Sequence, residues 1–246
     1  MNLLVLFSLA AFLLAGCART LVPHTAYIPL TRDQGQAEIR ISTGTNASEL
    51  QAGYQVTNKL VVHTALLSKG RLSTAKGFRS ADLGLGYYYE SPNGLWRLGG
   101  HAGLATGGGS SGSTGACFEC TGTGSATEYR VRYTYGYVQP TVILVEDNRS
   151  WGFGLRVGRA YYHRFERMRA DTLGGPVQTT SFAGRQITFI QPTFQYGYQV
   201  SRWFALSGVL GLQGFVETPQ IGNDMSLFVG QVSAHIVLNK RGTEKP

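Results

Sequence analysis

Beyond its first residues this chain alternates apolar and polar side chains almost throughout. Period two is the period of a strand with two unlike faces. Leu50, Ala52, Tyr54 and Val56 alternate with Gln51, Gly53, Gln55 and Thr57. Ile190, Pro192, Phe194, Tyr196 and Tyr198 alternate with Gln191, Thr193, Gln195, Gly197 and Gln199. Phe228, Val232, Ala234, Ile236 and Leu238 stand against Gln231, Ser233 and His235. No apolar run after residue 36 approaches the roughly 20 residues that a membrane-spanning helix needs. A chain of this pattern that crosses a bilayer must do so as a closed sheet, because an open edge leaves backbone groups unpaired in hydrocarbon.

The alternation predicts an all-β fold of about ten strands. Their spans are 36–45, 48–57, 59–68, 80–90, 95–105, 128–146, 150–166, 184–199, 203–216 and 226–239. The sixth shows a phase slip near Val138-Gln139-Pro140, read as a bulge that tolerates proline. Tight turns at Thr57-Asn58-Lys59, Ser91-Pro92-Asn93-Gly94, Asp147-Asn148-Arg149 and Val200-Ser201-Arg202 alternate with longer connections at 69–79, 106–127, 167–183 and 217–225. Only the first connection, 44–48, is short where a long one is expected. Short turns on one side and long loops on the other are the pattern of a closed antiparallel up-and-down barrel of the outer-membrane type, with the short turns periplasmic.

In that barrel the apolar face meets lipid and the polar face lines the lumen. By phase the lumen receives Glu38, Arg40, His63, Asp82, Glu90, Arg97, His101, Arg130, Arg132, Arg156 and His235. Glu38, Arg40, Asp82, Glu90, Arg130, Arg132 and Arg156 form the candidate polar network, since buried charges must be compensated. Period-two glycines, Gly84/Gly86 and Gly152/Gly154/Gly158, leave room in a narrow interior. Tyr87, Tyr89, Tyr129, Tyr133, Tyr135, Tyr161 and Tyr162 are candidates for interfacial girdles. The competing arrangement is a soluble barrel or sandwich, which buries the apolar face and wets the polar one.

The N-terminus carries the one specific motif. An apolar run from Leu3 to Leu14 is too short to span a bilayer, has the length of a signal-peptide core, and ends in Leu14-Ala15-Gly16-Cys17. This resembles the lipobox of bacterial lipoproteins. The resemblance implies cleavage before Cys17 and lipidation, including palmitate-type acylation, of that residue. The domain reading is a signal peptide at 1–16, a lipidated tether at 17–35, a barrel at 36–240 and a polar tail at 241–246. The chain as a whole resembles the β-barrel lipoproteins of the Gram-negative outer membrane. That implies a location in the cell outer membrane, with lipid anchor and both chain ends periplasmic.

The formal charge is +8, and residues 1–16 contain no charged side chain. No Lys/Arg cluster interleaved with aromatics points to nucleic acid. Outer-membrane lipid, with lipopolysaccharide or another anionic surface ligand, fits the basic balance better. Cys117 and Cys120, the cysteines other than Cys17, lie among glycine, serine and threonine. In an oxidising compartment a loop disulfide is the expectation, and two cysteines do not make a tetrahedral zinc site. Gly84-Leu85-Gly86 lacks the third glycine and the helix of a nucleotide-binding loop. No spacing singles out a nucleophile with its base, so neither a catalytic residue nor a metal or cofactor is expected. The functional expectation is a non-enzymatic structural or partner-binding surface protein. Two alternatives stay open: an outer-membrane hydrolase acting on lipid or peptide through a rim acid/base pair, and a soluble lipid-anchored, lipocalin-like carrier.

Overall fold

The chain folds into successive antiparallel staves, and the last strand pairs with the first, Ala37 opposite Leu238 and Gly44 opposite Gln231. The computed structural model describes residues 24–44, 47–71, 74–114, 126–170, 177–216 and 228–238. The strands are β1 (Ala37–Gly44), β2 (Ser48–Gln55), β3 (Leu60–Arg71), β4 (Thr74–Glu90), β5 (Trp96–Thr114), β6 (Ala126–Glu146), β7 (Arg149–Ala170), β8 (Val177–Ser181), β9 (Gln186–Ser201), β10 (Phe204–Leu212), β11 (Gly214–Phe215) and β12 (Phe228–Leu238). The 12 strands make one sheet, closed by the pairing of β7 with β9. β8 and β9 form one stave interrupted at 182–185, where Gly184 takes a φ of 80°. β10 and β11 form another, broken at Gln213. The result is the ten-stave antiparallel barrel expected from the alternation.

The short turns 56–59, 91–95, 147–148 and 202–203 all lie at one rim, here called the lower rim. Asp147, with φ 45°, and Gly94, with φ 70°, supply the left-handed residues that tight turns need. At the upper rim the staves run past the expected strand ends. β3 and β4 continue to Arg71 and Thr74, β5 and β6 to Thr114 and Ala126, and β7 reaches Ala170. Much of what the sequence suggests as long loops at 69–79, 106–127 and 167–183 is therefore paired strand. Small and polar residues do not forbid extended pairing once the register has been set below them.

β6 also departs from expectation. Its alternation is unbroken, with Val131, Tyr133, Tyr135, Tyr137, Gln139, Thr141 and Ile143 all inward. The ladder to β7 skips Gln139 and Pro140 but keeps its register, because proline only removes an N–H. The bulge lies elsewhere, where Arg132 faces Arg164 and Tyr133 faces Tyr162, leaving His163 extra on β7. Consequently Arg130 and Arg132 point outward, and their assignment to the lumen is corrected. Glu90, at the lower end of β4, is also exposed there rather than enclosed. Tyr129, Tyr133, Tyr135 and Tyr162 are inside, not in a girdle. Tyr87, Tyr89 and Tyr161 are exposed. Tyr54, Trp96, Tyr198 and Trp203 join the first two near the lower rim.

The two faces have opposite polarity. Ile41, Leu66, Leu83, Leu85, Leu104, Val138, Phe153, Leu210 and Val232 point outward and are exposed. Arg40, Arg97, Arg156, Gln51, Gln139, Gln191 and Gln195 point inward and are buried. Above them the interior is filled by an aromatic cluster that includes Phe78, Tyr133, Tyr162, Phe165 and Phe189. The exposed apolar band belongs to a membrane-spanning barrel of the outer-membrane type. A soluble barrel would cover this outer face with polar side chains, so the exposed apolar band counts against the soluble alternative.

Residues 24–31, read from the sequence as part of a free tether, are instead buried within the barrel: His24, Thr25, Ala26, Tyr27, Ile28 and Thr31 are at most 1% exposed. The segment is extended, as expected, but it occupies the lumen. The proposed signal peptide, Cys17, the Cys117/Cys120 pair and the C-terminal tail lie outside the described residues.

A polar lumen closed by the N-terminal segment

An extended segment without a neighbouring strand must find partners for its backbone, since buried N–H and C=O groups are costly to leave unpaired. The barrel wall provides them from side chains. Arg156 donates from Nη1 to the His24 carbonyl at 3.0 Å. Gln51 donates to the Thr25 carbonyl at 3.2 Å, and Gln139 to that of Tyr27 at 2.9 Å. Arg40 reaches the Ala26 carbonyl at 3.4 Å, Gln195 that of Ile28 at 3.5 Å, and Arg97 that of Thr31 at 2.8 Å. Two carboxylates take the amides: Thr25 N donates to Glu49 at 3.2 Å and Leu30 N to Glu38 at 2.9 Å. These donors come from strands all round the barrel, so the segment acts as a central plug.

Glycine makes the space. A Cβ at Gly152 would lie 2.8 Å from Cγ2 of Ile28. One at Gly53 would run into the hydroxyl and ring of Tyr27, and one at Gly84 into the ring of His63. His63 stacks on Tyr27 with ring centroids 4.6 Å apart. Tyr88 and His101 are hydrogen-bonded to each other. Arg156 lies 4.1 Å from the centroid of Tyr137, whose hydroxyl donates to Asp82 at 2.8 Å.

Among the described residues the buried acidic side chains are Glu38, Glu49 and Asp82, and the buried guanidiniums are Arg40, Arg97 and Arg156. The formal charges of this set balance, as an enclosed lumen requires. Of the predicted network, Glu38, Arg40, Asp82 and Arg156 are brought together here. Glu90, Arg130 and Arg132 are not. Arg156 and Asp82 approach to 3.8 Å.

Two further arrangements could not be found by spacing. His24 Nδ1 lies 2.7 Å from Glu49 Oε1, and its Nε2 lies 2.9 Å from Ser80 Oγ. His235 Nδ1 lies 2.7 Å from Glu38 Oε1, and its Nε2 lies 2.6 Å from Ser207 Oγ. Both are Ser–His–Glu relays with the connectivity of a nucleophilic triad. The three members of each relay are nearly fully buried, with Ser80 and Ser207 closed off from solvent. Each relay satisfies a buried glutamate that also holds the plug. The sequence signal for Glu49 was present in the phase of β2; for His24 there was none, because an unpaired segment carries no periodicity. No group of His, Cys, Asp and Glu among the described residues has the arrangement of a metal site.

The outer wall carries a second feature. Arg79 on β4 faces Gly108 on β5, Gly108 faces Arg132 on β6, and Arg132 faces Arg164 on β7. Three arginines thus share one outward row above the apolar band, on the long-hairpin side. Arg164 is paired with Glu166 at 2.8 Å, and Arg130 with Glu128 at 3.2 Å.

No known family matches the sequence, and no curated protein matches it. Among solved structures, one from a study of in-meso crystallisation of membrane proteins is similar over 85% of each chain, at 9% identity and a TM-score of 0.34. OmpT, an outer-membrane protein of Vibrio cholerae, is similar over 83% of this chain and 96% of its own, at 10% identity and a TM-score of 0.21. The CymD monoaromatic hydrocarbon channel is similar over 83% of this chain and 88% of its own, at 9% identity and a TM-score of 0.25. These scores are low, and the assignment rests on the strand order and the polarity of the two faces. By that evidence the chain is a ten-stave barrel of the outer-membrane type.

Proposed function

We propose that this protein is a lipid-anchored outer-membrane barrel that acts as a structural or partner-binding surface protein, with its lumen sealed rather than conducting. The observation that carries this reading is the plug, whose backbone is held by Arg40, Gln51, Arg97, Gln139, Arg156 and Gln195. An open channel would leave such side chains to water and permeant solute. The upper rim, with its tall hairpins, is the surface available to a partner. The Leu14-Ala15-Gly16-Cys17 motif supports lipidation of Cys17. The short turns and the end of β12 belong on the periplasmic side.

The outward arginine row supports anionic lipid head groups, such as lipopolysaccharide phosphates, as a partner of the wall. Arg132 stands opposite Arg164, whose charge is met by Glu166, and shares the row with Arg79. A phosphate held by the outward guanidiniums of this row would gain charge-assisted hydrogen bonds.

The test is reconstitution of the purified full-length protein in planar bilayers, with fatty-acid labelling in cells alongside. Wild type should show no sustained conductance and should incorporate label that Cys17→Ala loses. Steady porin-like conductance would overturn the sealed-lumen reading. Equal labelling of both proteins would overturn the lipid anchor. The hydrolase alternative would require the buried Ser80 of the Ser80–His24–Glu49 relay to react with a fluorophosphonate, which its burial opposes.

A further inference from the structure

The lipid-facing wall is not evenly bulky. On β6 the outward positions Gly136 and Pro140 carry little side chain, between Leu83 and Leu104 on one flank and Phe194 and Leu212 on the other. Two adjoining hollows result, of about 890 and 740 Å³. The upper is bordered by Val138 and Val157, the lower by Pro140 and Leu155, two residues farther down the same strands. Together they make an apolar groove from Gly136 to Val142 on β6. At about 3.3 Å per residue and a tilt of about 40°, it descends about 15 Å, a little over half of a roughly 25 Å apolar band. Packing within the wall does not demand glycine at 136. A Cβ there would meet only Leu104 Cδ2 at 3.4 Å and the Gly103 carbonyl at 3.9 Å.

Unpaired cations stand at the head of this groove. Arg159 on β7 borders the upper hollow and faces Gly136 across the ladder. It is ten residues above Arg149, the lower end of β7, which places it about 25 Å up, at the top of the band. Beside it the bulge presents His163, whose Nε2 lies 3.0 Å from Thr134 Oγ1. Higher on the wall, Arg79 and Arg132 flank Gly108, two strand spacings apart with no side chain between them, which is about 10 Å. Arg79, Arg132 and Arg159 are exposed and have no ion pair among the described residues, whereas Arg130 and Arg164 are met by Glu128 and Glu166. There are thus two anion seats, one over Gly108 and one at Arg159. A single phosphate cannot fill both.

We propose that this wall binds a bis-phosphorylated, acylated glycolipid, the chemistry of the lipid portion of lipopolysaccharide. One acyl chain lies in the groove over Gly136 and Pro140. One phosphate is held at Arg159 and the other between Arg79 and Arg132, each by charge-assisted hydrogen bonds. Arg159 selects a lipid over free phosphate, because it borders the apolar groove and the head-group layer at once. A phospholipid with one phosphate leaves one seat empty. The assignment rests on the anionic head-group reading above and adds the groove, the second seat and the class of lipid.

The test titrates the full-length protein, in a neutral detergent, with bis-phosphoryl lipid A, with its mono-phosphoryl form and with phosphatidylglycerol. The bis-phosphoryl form should bind at least about tenfold more tightly than either of the others, the worth of one charge-assisted hydrogen bond. Arg159→Leu should weaken it by about the same factor. Gly136→Leu fills the groove and should weaken it by at least about fourfold, the burial of one methylene. Val138→Trp is a second filler, since Val138 is exposed and borders the upper hollow. Val232→Leu, at an exposed position on β12, should change nothing. Urea unfolding of each variant confirms that it is folded.

Unchanged binding by folded Gly136→Leu and Val138→Trp overturns the groove. If Arg79→Leu and Arg132→Leu still weaken binding in that case, the anionic head-group reading survives without it. Equal affinity for phosphatidylglycerol overturns the glycolipid as occupant. Binding that no arginine variant alters overturns both the proposal and the reading on which it rests.

Discussion

Arg156 on β7 and His24 in the N-terminal segment share a buried hydrogen bond of 3.0 Å, from the guanidinium to the His24 backbone carbonyl. The same side chain donates to Gln139 at 3.1 Å and lies 3.8 Å from Asp82. One residue thus joins the plug to two further strands. Arg156→Leu removes all of these at once and leaves Asp82 poorly compensated. It should destabilise the folded barrel by about 3–5 kcal/mol, the usual cost of removing one member of a buried charge pair. Urea unfolding in lipid vesicles measures this, and a change under about 0.5 kcal/mol would place Arg156 in water instead.

Gly53 is the position at which the wall makes room for Tyr27. Gly53→Val should expel or displace the plug while leaving the period-two face of β2 intact. The variant should gain conductance in planar bilayers that wild type lacks. A variant that folds with no conductance would show that residues other than the plug seal the lumen.

Outward positions should divide by height. Leu85 and Leu210 lie in the apolar band, and Leu85→Arg or Leu210→Arg should each cost about 2–4 kcal/mol near mid-membrane. Arg132 is outward and above the band, so Arg132→Leu should change stability by no more than about 0.5 kcal/mol. It should instead weaken retention of lipopolysaccharide on the purified protein, and more so when combined with Arg79→Leu. Stability that falls on Arg132→Leu and is unmoved by Leu85→Arg would invert the faces.

The two Ser–His–Glu relays call for a chemical check. Ser80 and Ser207 are at most 7% exposed, so neither should react with a fluorophosphonate in the folded protein. Glu49→Gln should lower stability, because Glu49 accepts from His24, Thr25 and Gln51. Labelling of Ser80 that disappears in Glu49→Gln would argue for a hydrolase.

Strand number, the polarity of each face and the alternation of turns were legible in the sequence, because a strand's side chains alternate whatever lies around it. The same phase placed Glu38, Arg40, Asp82 and Arg156 in the lumen. It misplaced Arg130 and Arg132, since a proline in β6 looked like a slip of register. Only the paired neighbours, with the real bulge at His163, show that β6 keeps its phase. The strands above the band were also illegible, since glycine and serine pair there only because the register has been set below them.

The plug was decided entirely by tertiary structure. His24 to Thr31 has no partner strand and therefore no periodicity to read. Its place in the lumen depends on side chains from many strands converging on one line of carbonyls, with Gly53 and Gly152 left empty to admit Tyr27 and Ile28. Local sequence determined which face of each strand is polar. That the polar face hydrogen-bonds the backbone of residues 24–31 emerged only when the barrel closed around it.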